Sequence, residues 1–217
     1  MEEPAVREEL GSVEGQRILD LGCGDGAFGR AMLAAECRSY SGIDSSARMV
    51  EAAQRTLRGT LGTVTRDHIE RFSAPPNSFD VIVSRLALHY IADLRGVLTA
   101  CRECLAPDGR VLFTVVHPVI TSHEVHPSSP TELRTSWVVD DYFEQGPRER
   151  SWLGGKVVWH HRTVEEQVLA LRTAGFTLTA LRECAPRRER FDGDESEFAR
   201  RQRVPLFLLL AGAVAQR

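Results

Sequence analysis

A short run of glycines and carboxylates, Leu19-Asp20-Leu21-Gly22-Cys23-Gly24-Asp25-Gly26, has residue types and spacing suited to binding a nucleoside. Closely spaced glycines let the backbone approach a ligand, and the N-terminus of a following helix offers N–H groups. The same letters fit the dinucleotide pattern Gly22-x-Gly24-x-x-Ala27, so a nicotinamide-dependent oxidoreductase is an alternative at this point.

Three aspartates lie at or near the carboxyl ends of the first three predicted strands: Asp20, Asp44 and Asp67. Asp20 stands inside its strand just before the glycines, where it would crowd a pyrophosphate but would suit a cationic group. The spacing of Asp44 from the glycines fits an acceptor for ribose hydroxyls in either interpretation. Together the aspartates favour a nucleoside that carries positive charge over a diphosphate.

Short apolar runs alternate with amphipathic stretches along the first half of the chain, which predicts a parallel sheet with helices on both faces. The predicted strands are 17–21, 40–44, 62–66, 79–84 and 110–116, and the helices between them are 27–35, 46–57 and 93–105. A helix over 163–174 and two further strands, 176–181 and 205–214, follow later, with a charged loop predicted over 184–203.

The segment His117 to Arg162 has no clean period and is rich in aromatic residues, so we interpret it as a cap insertion over the site. Its aromatic residues are Trp137, Tyr142, Phe143, Trp152 and Trp159. Histidines are the best candidates for a general base. His89 follows the fourth strand, His117 ends the fifth and His161 ends the cap, although a lone histidine is more often structural.

Composition limits the class of protein. The chain has 217 residues, 42% of them hydrophobic, with a formal net charge of −3, which is typical of one globular domain. Without a basic stripe, nucleic-acid binding is not expected, and no apolar stretch predicts a signal peptide or a membrane span. Five scattered cysteines indicate a reducing compartment, so we expect a cytoplasmic protein. Cys101-x-x-Cys104 has the spacing of half a zinc site, but no second pair of ligands with that spacing is present, so no metal is expected.

Four motifs together resemble the class I S-adenosylmethionine-dependent methyltransferases, especially small bacterial type-11-like members. They are Ile18 to Gly26, Gly42 to Val50, Phe79 to Ser84 and Leu105 to Leu112. The resemblance covers roughly residues 15–116 and, more loosely, 163–214. It implies a Rossmann-like, seven-stranded, mostly parallel α/β sheet with the last strand antiparallel. We expect a single domain over 1–217, with the cap insertion at 117–162 within it. The implied cofactor is S-adenosyl-L-methionine, and the implied reaction is methyl transfer to a small-molecule acceptor.

The resemblance also implies roles for residues near the methionine end of the cofactor. Asp20 and the backbone of Gly22 and Gly24 would face the methionine part. Ser84 would begin the loop beneath the sulfonium.

At the adenosine end, the resemblance implies that Asp44 binds the ribose hydroxyls and that Ser45 and Met49 flank the adenosine. Asp67 would accept a hydrogen bond from the adenine amino group, with His68 beside the ring.

One departure from the family concerns the N-terminal segment, since only about 16 residues precede the first strand. The lid that family members build there must be short, come from the insertion, come from a partner chain as in a homodimer, or be missing. A cofactor-binding protein without methyl transfer, such as a regulatory or assembly subunit, is therefore a further alternative.

Overall fold

The computed structural model describes residues 1–123, 137–152 and 155–215, with the side chains of residues 151 and 152 left aside. The first half contains α1 (Glu3–Leu10), β1 (Arg17–Leu21), α2 (Ala27–Ala34), β2 (Ser39–Asp44), α3 (Ala47–Thr56), β3 (Thr63–Arg66), β4 (Phe79–Arg85) and α4 (Leu94–Cys104). The second half contains β5 (Leu105–Val116), α5 (Pro118–Thr121), β6 (Gly146–Trp152), β7 (Gly155–His161), α6 (Val164–Thr173), β8 (Phe176–Glu183), α7 (Glu195–Arg201) and β9 (Phe207–Val214). Short 3-10 turns occupy 69–71, 88–90 and 188–190.

Seven strands form the central sheet in the order β3-β2-β1-β4-β5-β9-β8. The pairs from β3 to β5 are parallel, and β9 runs antiparallel to both of its neighbours. The predicted architecture, including the antiparallel last strand, is confirmed. Because β1 lies between β2 and β4, the ends of these three strands meet at one edge of the sheet.

Successive strand residues point to opposite faces, and each face has its own core. On one face Leu19, Ile82 and Phe113 pack with the apolar side of α4 and with Leu171 of α6. On the other face, Ile18 belongs to the cluster that includes α1 and α2. Burial on both faces explains why the strands appear in the sequence as continuous apolar runs.

The predicted cap contains more regular structure than its sequence suggested. β6 and β7 pair as an antiparallel hairpin that forms a separate two-stranded sheet, and α5 begins directly after His117. The alternation of polar and apolar residues that predicts a strand is weak in β6, because β6 carries two arginines and a glutamate. The sequence therefore did not predict this strand. Residues 124–136, inside the predicted cap, lie outside the described residues.

Two other boundaries differ from prediction. The expected loop over 184–203 contains α7, whose polar sequence is stabilised by an Asp194 N-cap and by ion pairs from Glu197 to Arg200 and Arg201. β5 begins at Leu105 instead of residue 110, because Leu105 already pairs with Phe79 before a register shift. No helix in the described ranges has the length and apolar content needed to cross a membrane.

Candidate functional site

A cavity of about 390 Å³ opens at the carboxyl edge of the sheet, where ligands bind in open α/β folds. The turn after β1, the end of β2, the turn after β3 and the turn after β4 supply its wall. The lining residues are Gly22, Asp44, Ser45, His68, Ile69, Glu70, Arg85, Leu86, Ala87, Tyr90 and Ile91. Of the nine predicted cofactor residues, Gly22, Asp44, Ser45 and His68 therefore line one cavity.

The glycine turn is held by backbone bonds to β2 and by Asp44. Gly22 and Cys23 both donate to the carbonyl of Ile43, at 2.8 and 3.0 Å. Gly22 has φ of +82°, and a Cβ added there would lie closer than 3.0 Å to the Cβ of Ala87. A glycine is thus required at position 22 both by the backbone conformation and by the closeness of the opposite wall.

Gly24 also has a positive φ, +56°, but its missing Cβ would meet no atom within 4 Å. Its N–H donates to Oδ2 of Asp44 at 3.0 Å. Oδ1 of Asp44 accepts from the N–H of Ser46 at 2.9 Å. Since each carboxylate oxygen accepts more than one hydrogen bond, Asp44 keeps acceptor capacity toward the cavity.

Asp20 lies behind the glycine turn, 2% exposed, and is not among the lining residues. Its Oδ2 accepts a 2.6 Å hydrogen bond from the hydroxyl of Tyr40. Its Oδ1 has no hydrogen-bond partner within the described part of the chain. Burial raises the pKa of Asp20 to about 6, against the lowering effects of the Tyr40 bond and of the Arg85 charge. An unpartnered, buried carboxylate oxygen beside the turn fits the cationic ligand group expected from the sequence.

Arg85 brings a positive charge to the cavity wall. It is the last residue of β4, and it forms an ion pair with Glu2, 2.5 Å from Nη2 to Oε1. Its guanidinium also lies 4.9 Å from the ring centroid of Phe28, the second residue of α2. The sequence analysis did not predict Arg85 as a site residue. Its position at the carboxyl end of a central strand, where ligands bind in this type of sheet, could have indicated it.

The turn after β4 is strained and fixed at its first residue. Leu86 adopts φ of +52°, a left-handed conformation that is costly for a branched side chain. Its N–H bonds to both the carbonyl and the hydroxyl of Thr114 on β5. Predicted residue Ser84 is buried instead of lining the cavity, and its hydroxyl donates to the carbonyl of Leu21 at 2.7 Å. The Ser84 bond holds the end of β4 against the end of β1, and the Leu86 bonds hold the turn after β4 against β5.

Three further predicted cofactor residues, Gly24, Met49 and Asp67, are not among the residues that line the cavity. Met49 is half-buried in the first turn of α3, and its N–H donates to Oγ of Ser46. Asp67 is half-buried and accepts from the N–H of His68 at 2.7 Å. His68, the next residue, is the one of this pair that faces the cavity.

Two of the three candidate bases have both ring nitrogens engaged in the protein. Nδ1 of His117 accepts from the N–H of Val119, and its Nε2 lies 3.1 Å from Oε1 of Glu183. Nδ1 of His161 lies 2.6 Å from the hydroxyl of Thr121, and its Nε2 lies 2.9 Å from the carbonyl of Tyr142. These contacts assign His117 and His161 to holding the start of the cap and its hairpin in place.

His89 is different because its buried Nδ1 has no hydrogen-bond partner among the residues that the structure describes. Its ring lies between Tyr90 and Trp159, with centroid distances of 4.4 and 5.3 Å. Burial lowers the pKa of His89 to about 4, so its ring is neutral near pH 7. His89 therefore connects the cavity wall, through Tyr90, to the hairpin of the cap.

Trp159 of the hairpin and Arg162, which follows it, contact the segment that carries the cavity-lining residues Tyr90 and Ile91. Arg162 donates to the carbonyls of Ile91 and Ala92, at 2.6 and 2.7 Å. Trp159 is buried against His89, whereas Phe143 is 86% exposed. The side chain of Trp152, also predicted for the cap, lies outside the described residues. None of the described cap residues lines the cavity itself.

Possible metal ligands elsewhere are few in the ranges that the structure describes. Ligand atoms of His123, Asp140 and Asp141 lie within 4.8 Å of one another at the surface, outside the cavity lining. Cys101 and Cys104 are buried in the core on α4, where burial raises the pKa of each thiol.

Comparisons with known proteins agree with this geometry. A family model described as a methyltransferase domain matches residues 19–111, from β1 to β5. An S-adenosylmethionine-dependent methyltransferase from Mesorhizobium loti, solved by crystallography, is 34% identical, with a TM-score of 0.87 over 98% of this chain and 97% of that one.

Two curated relatives are more distant. An uncharacterized protein of Haemophilus influenzae is 29% identical over 192 residues, 84% of this chain and 76% of the relative. A ubiquinone biosynthesis O-methyltransferase of Neisseria meningitidis is 29% identical over 111 residues, 48% of this chain and 46% of the relative. The chain thus spans about half the length of the curated O-methyltransferases that it matches.

Proposed function

Because this chain belongs to the class I S-adenosylmethionine-dependent methyltransferases, we propose that it transfers the cofactor's methyl group to a small-molecule acceptor held over the 85–91 turn. The observation that carries the proposal is the cavity of about 390 Å³ between this turn and the glycine turn. Its size lies in the range of pockets that hold one small-molecule ligand. The dinucleotide alternative loses support, since an ionised Asp20 directly behind the glycine turn would repel a pyrophosphate bound at that turn.

The residues present fit the cofactor. Asp44 has acceptor capacity for the ribose hydroxyls, and His68 and Ile69 provide a wall for the adenine. Gly22 lets the turn after β1 lie close to Ala87, because a Cβ at position 22 would overlap that residue. The cofactor supplies a methyl group that is already activated, so the protein's part is to align the acceptor and to exclude water.

We propose that the displacement needs no histidine base. His117 and His161 are engaged through both ring nitrogens, and His89, with a pKa of about 4, is a weak base. A nucleophile that is already unprotonated at neutral pH can attack without one. Substitution of His117 or His161 should then leave the pH profile of the rate unchanged, including any step near pH 6 that Asp20 contributes.

We further propose that the cap acts as a support for the acceptor wall. Arg162 and Trp159 contact residues 89–92, whose neighbours Tyr90 and Ile91 line the cavity. A shift of the hairpin would move this wall without touching Asp44 or the glycine turn. Loss of Trp159 should therefore raise the acceptor KM and leave cofactor affinity unchanged.

The test of the proposed function combines binding with turnover. Calorimetry should detect S-adenosylhomocysteine and not NAD. Asp44→Ala should weaken binding by about 1.5–3 kcal/mol, the value of a charge-assisted hydrogen bond, whereas Glu51→Ala on the exposed side of α3 should not. Transfer of labelled methyl to a panel of small acceptors must then be observed. Binding without any transfer would favour the cofactor-binding subunit, and tighter binding of NAD would favour the oxidoreductase.

We also propose that the protein works in a reducing compartment such as the cytoplasm. Its five cysteines are free thiols, and all of them are buried. Proteins of oxidising compartments with this many cysteines usually pair them. Mass spectrometry of the protein from its native cells should find no disulfide.

A further inference from the structure

We propose that Arg85 binds the α-carboxylate of the cofactor's methionyl end, with Glu2 holding its guanidinium in place and Asp20 facing the ammonium. The inference rests on the proposed function in one respect, that S-adenosylmethionine occupies this cavity. The methionyl end is an α-amino acid, whose carboxylate is suited to a cationic partner and whose ammonium is suited to an anionic one. Among the described lining residues, Arg85 is the one lysine or arginine.

The glycine turn itself has few donors left for a carboxylate. Gly22 and Cys23 donate to Ile43, and Gly24 donates to Asp44. At the start of α2, the N–H of Gly26 donates to Cys23 and the N–H of Ala27 donates to Asp25. None of these bonds uses the N–H groups of Phe28 and Gly29 in the first turn of α2, so Arg85 would add a charged donor to the neutral backbone donors there.

The guanidinium of Arg85 is oriented before any ligand arrives. Glu2 accepts from Nη2 at 2.5 Å and from Nε at 3.4 Å, and the ring of Phe28 covers one face. These contacts use neither N–H of Nη1. Because Glu2 is only 6% exposed, its side of the ion pair is shielded from solvent and its carboxylate has little room to move. Arg85 can then present Nη1 as a donor to a carboxylate in a defined geometry.

The net charge of the ligand is opposite to that of its surroundings. Glu2 and Arg85 offset each other, and S-adenosylmethionine carries a net charge of +1, from a sulfonium, an ammonium and a carboxylate. The acids that remain near the cavity are Asp20 behind the glycine turn and Asp44 and Glu70 in the lining. The buried Oδ1 of Asp20, without a partner in the described ranges, is the acceptor that the ammonium needs, directly or through a water molecule.

The arrangement also gives α1 a part in ligand binding. Glu2 immediately precedes α1, and Ala5, Val6 and Leu10 of this helix are buried against the sheet. Removal of the Glu2 carboxylate should therefore act on the amino-acid end of the ligand and not on the adenosine end.

The experiment compares two ligands that differ in that end alone. Isothermal calorimetry measures S-adenosylhomocysteine and 5′-methylthioadenosine, which lacks the amino-acid group, with the whole protein. Arg85→Met, which keeps an apolar stem over Phe28, should weaken S-adenosylhomocysteine at least tenfold and change 5′-methylthioadenosine less than threefold. Glu2→Gln should give a smaller loss with the same ligand preference. Arg95→Met, at an exposed position outside the lining, is the matched control and should change neither.

Two results would overturn the proposal. Equal losses for both ligands would mean that Arg85 only shapes the cavity, and unchanged binding of both with a raised acceptor KM would mean that it recognises the acceptor. If Arg85→Met does not fold, Arg85→Lys carries the same comparison, because it keeps the charge and loses the geometry. Failure of the unmodified protein to bind S-adenosylhomocysteine would instead contradict the proposed function.

Discussion

Substitution of Gly22 by alanine tests the geometry of the cavity wall most directly. An L-residue at φ of +82° costs about 1–2 kcal/mol. The new methyl group would also overlap the Cβ of Ala87, and relief of such overpacking costs about 1–3 kcal/mol. The free energy of unfolding should therefore fall by about 2–5 kcal/mol in total. At this chain length, that corresponds to roughly 4–20 °C in Tm.

Gly24→Ala is the matched control, since its φ is also positive while its added Cβ meets no atom within 4 Å. It should cost only the conformational part, about 1–2 kcal/mol. In the double variant Gly22→Ala with Ala87→Gly, the overlapping methyl group is gone, so about 1–3 kcal/mol should return, less about 0.5–1 kcal/mol for the new glycine.

Urea unfolding followed by circular dichroism measures all four proteins, and calorimetry with S-adenosylhomocysteine measures the effect on the cavity. Equal destabilisation by Gly22→Ala and Gly24→Ala would refute the reasoning, as would a double variant no more stable than Gly22→Ala alone. Either result would mean that the two turns are not in the close contact that the structure describes.

Three further predictions concern titration and hydrogen bonding. Burial raises the pKa of Asp20 to about 6, so between about pH 4 and pH 6 the folded state holds a proton that the unfolded state has lost. The unfolding free energy should therefore fall by up to about 3 kcal/mol as pH rises through this range. Asp20→Asn should remove this pH dependence when stability is measured by urea unfolding. His117→Asn keeps an N-cap acceptor and should retain kcat within threefold, whereas a general base would lose at least about 100-fold. Arg162→Met removes bonds to the carbonyls of Ile91 and Ala92 and should lower the unfolding free energy by about 3 kcal/mol; an unchanged urea midpoint would show that the hairpin is not held there.

The glycine turn and the order of strands and helices followed from the sequence alone. Apolar runs and helical periodicity are local properties, so β1, β2, β4 and α4 could be predicted nearly to the residue. Asp44 could be placed at the cavity because it ends a strand that parallel pairing brings beside the glycines. Polar segments without an apolar stripe, such as β6 and α7, lacked this signal and were not predicted.

Only the tertiary structure decided which side chains cooperate. Gly22 and Gly24 both follow β1, yet only a Cβ at position 22 would meet Ala87. Ala87 belongs to the turn after β4, which is distant in the chain, so the sequence does not indicate this contact. Arg85 and Glu2 are 83 residues apart in the chain, and no local pattern relates them. Burial and hydrogen bonding of a side chain depend on neighbours from separate elements, so a sequence can identify groups able to bind a ligand, whereas packing determines which of them remain available to it.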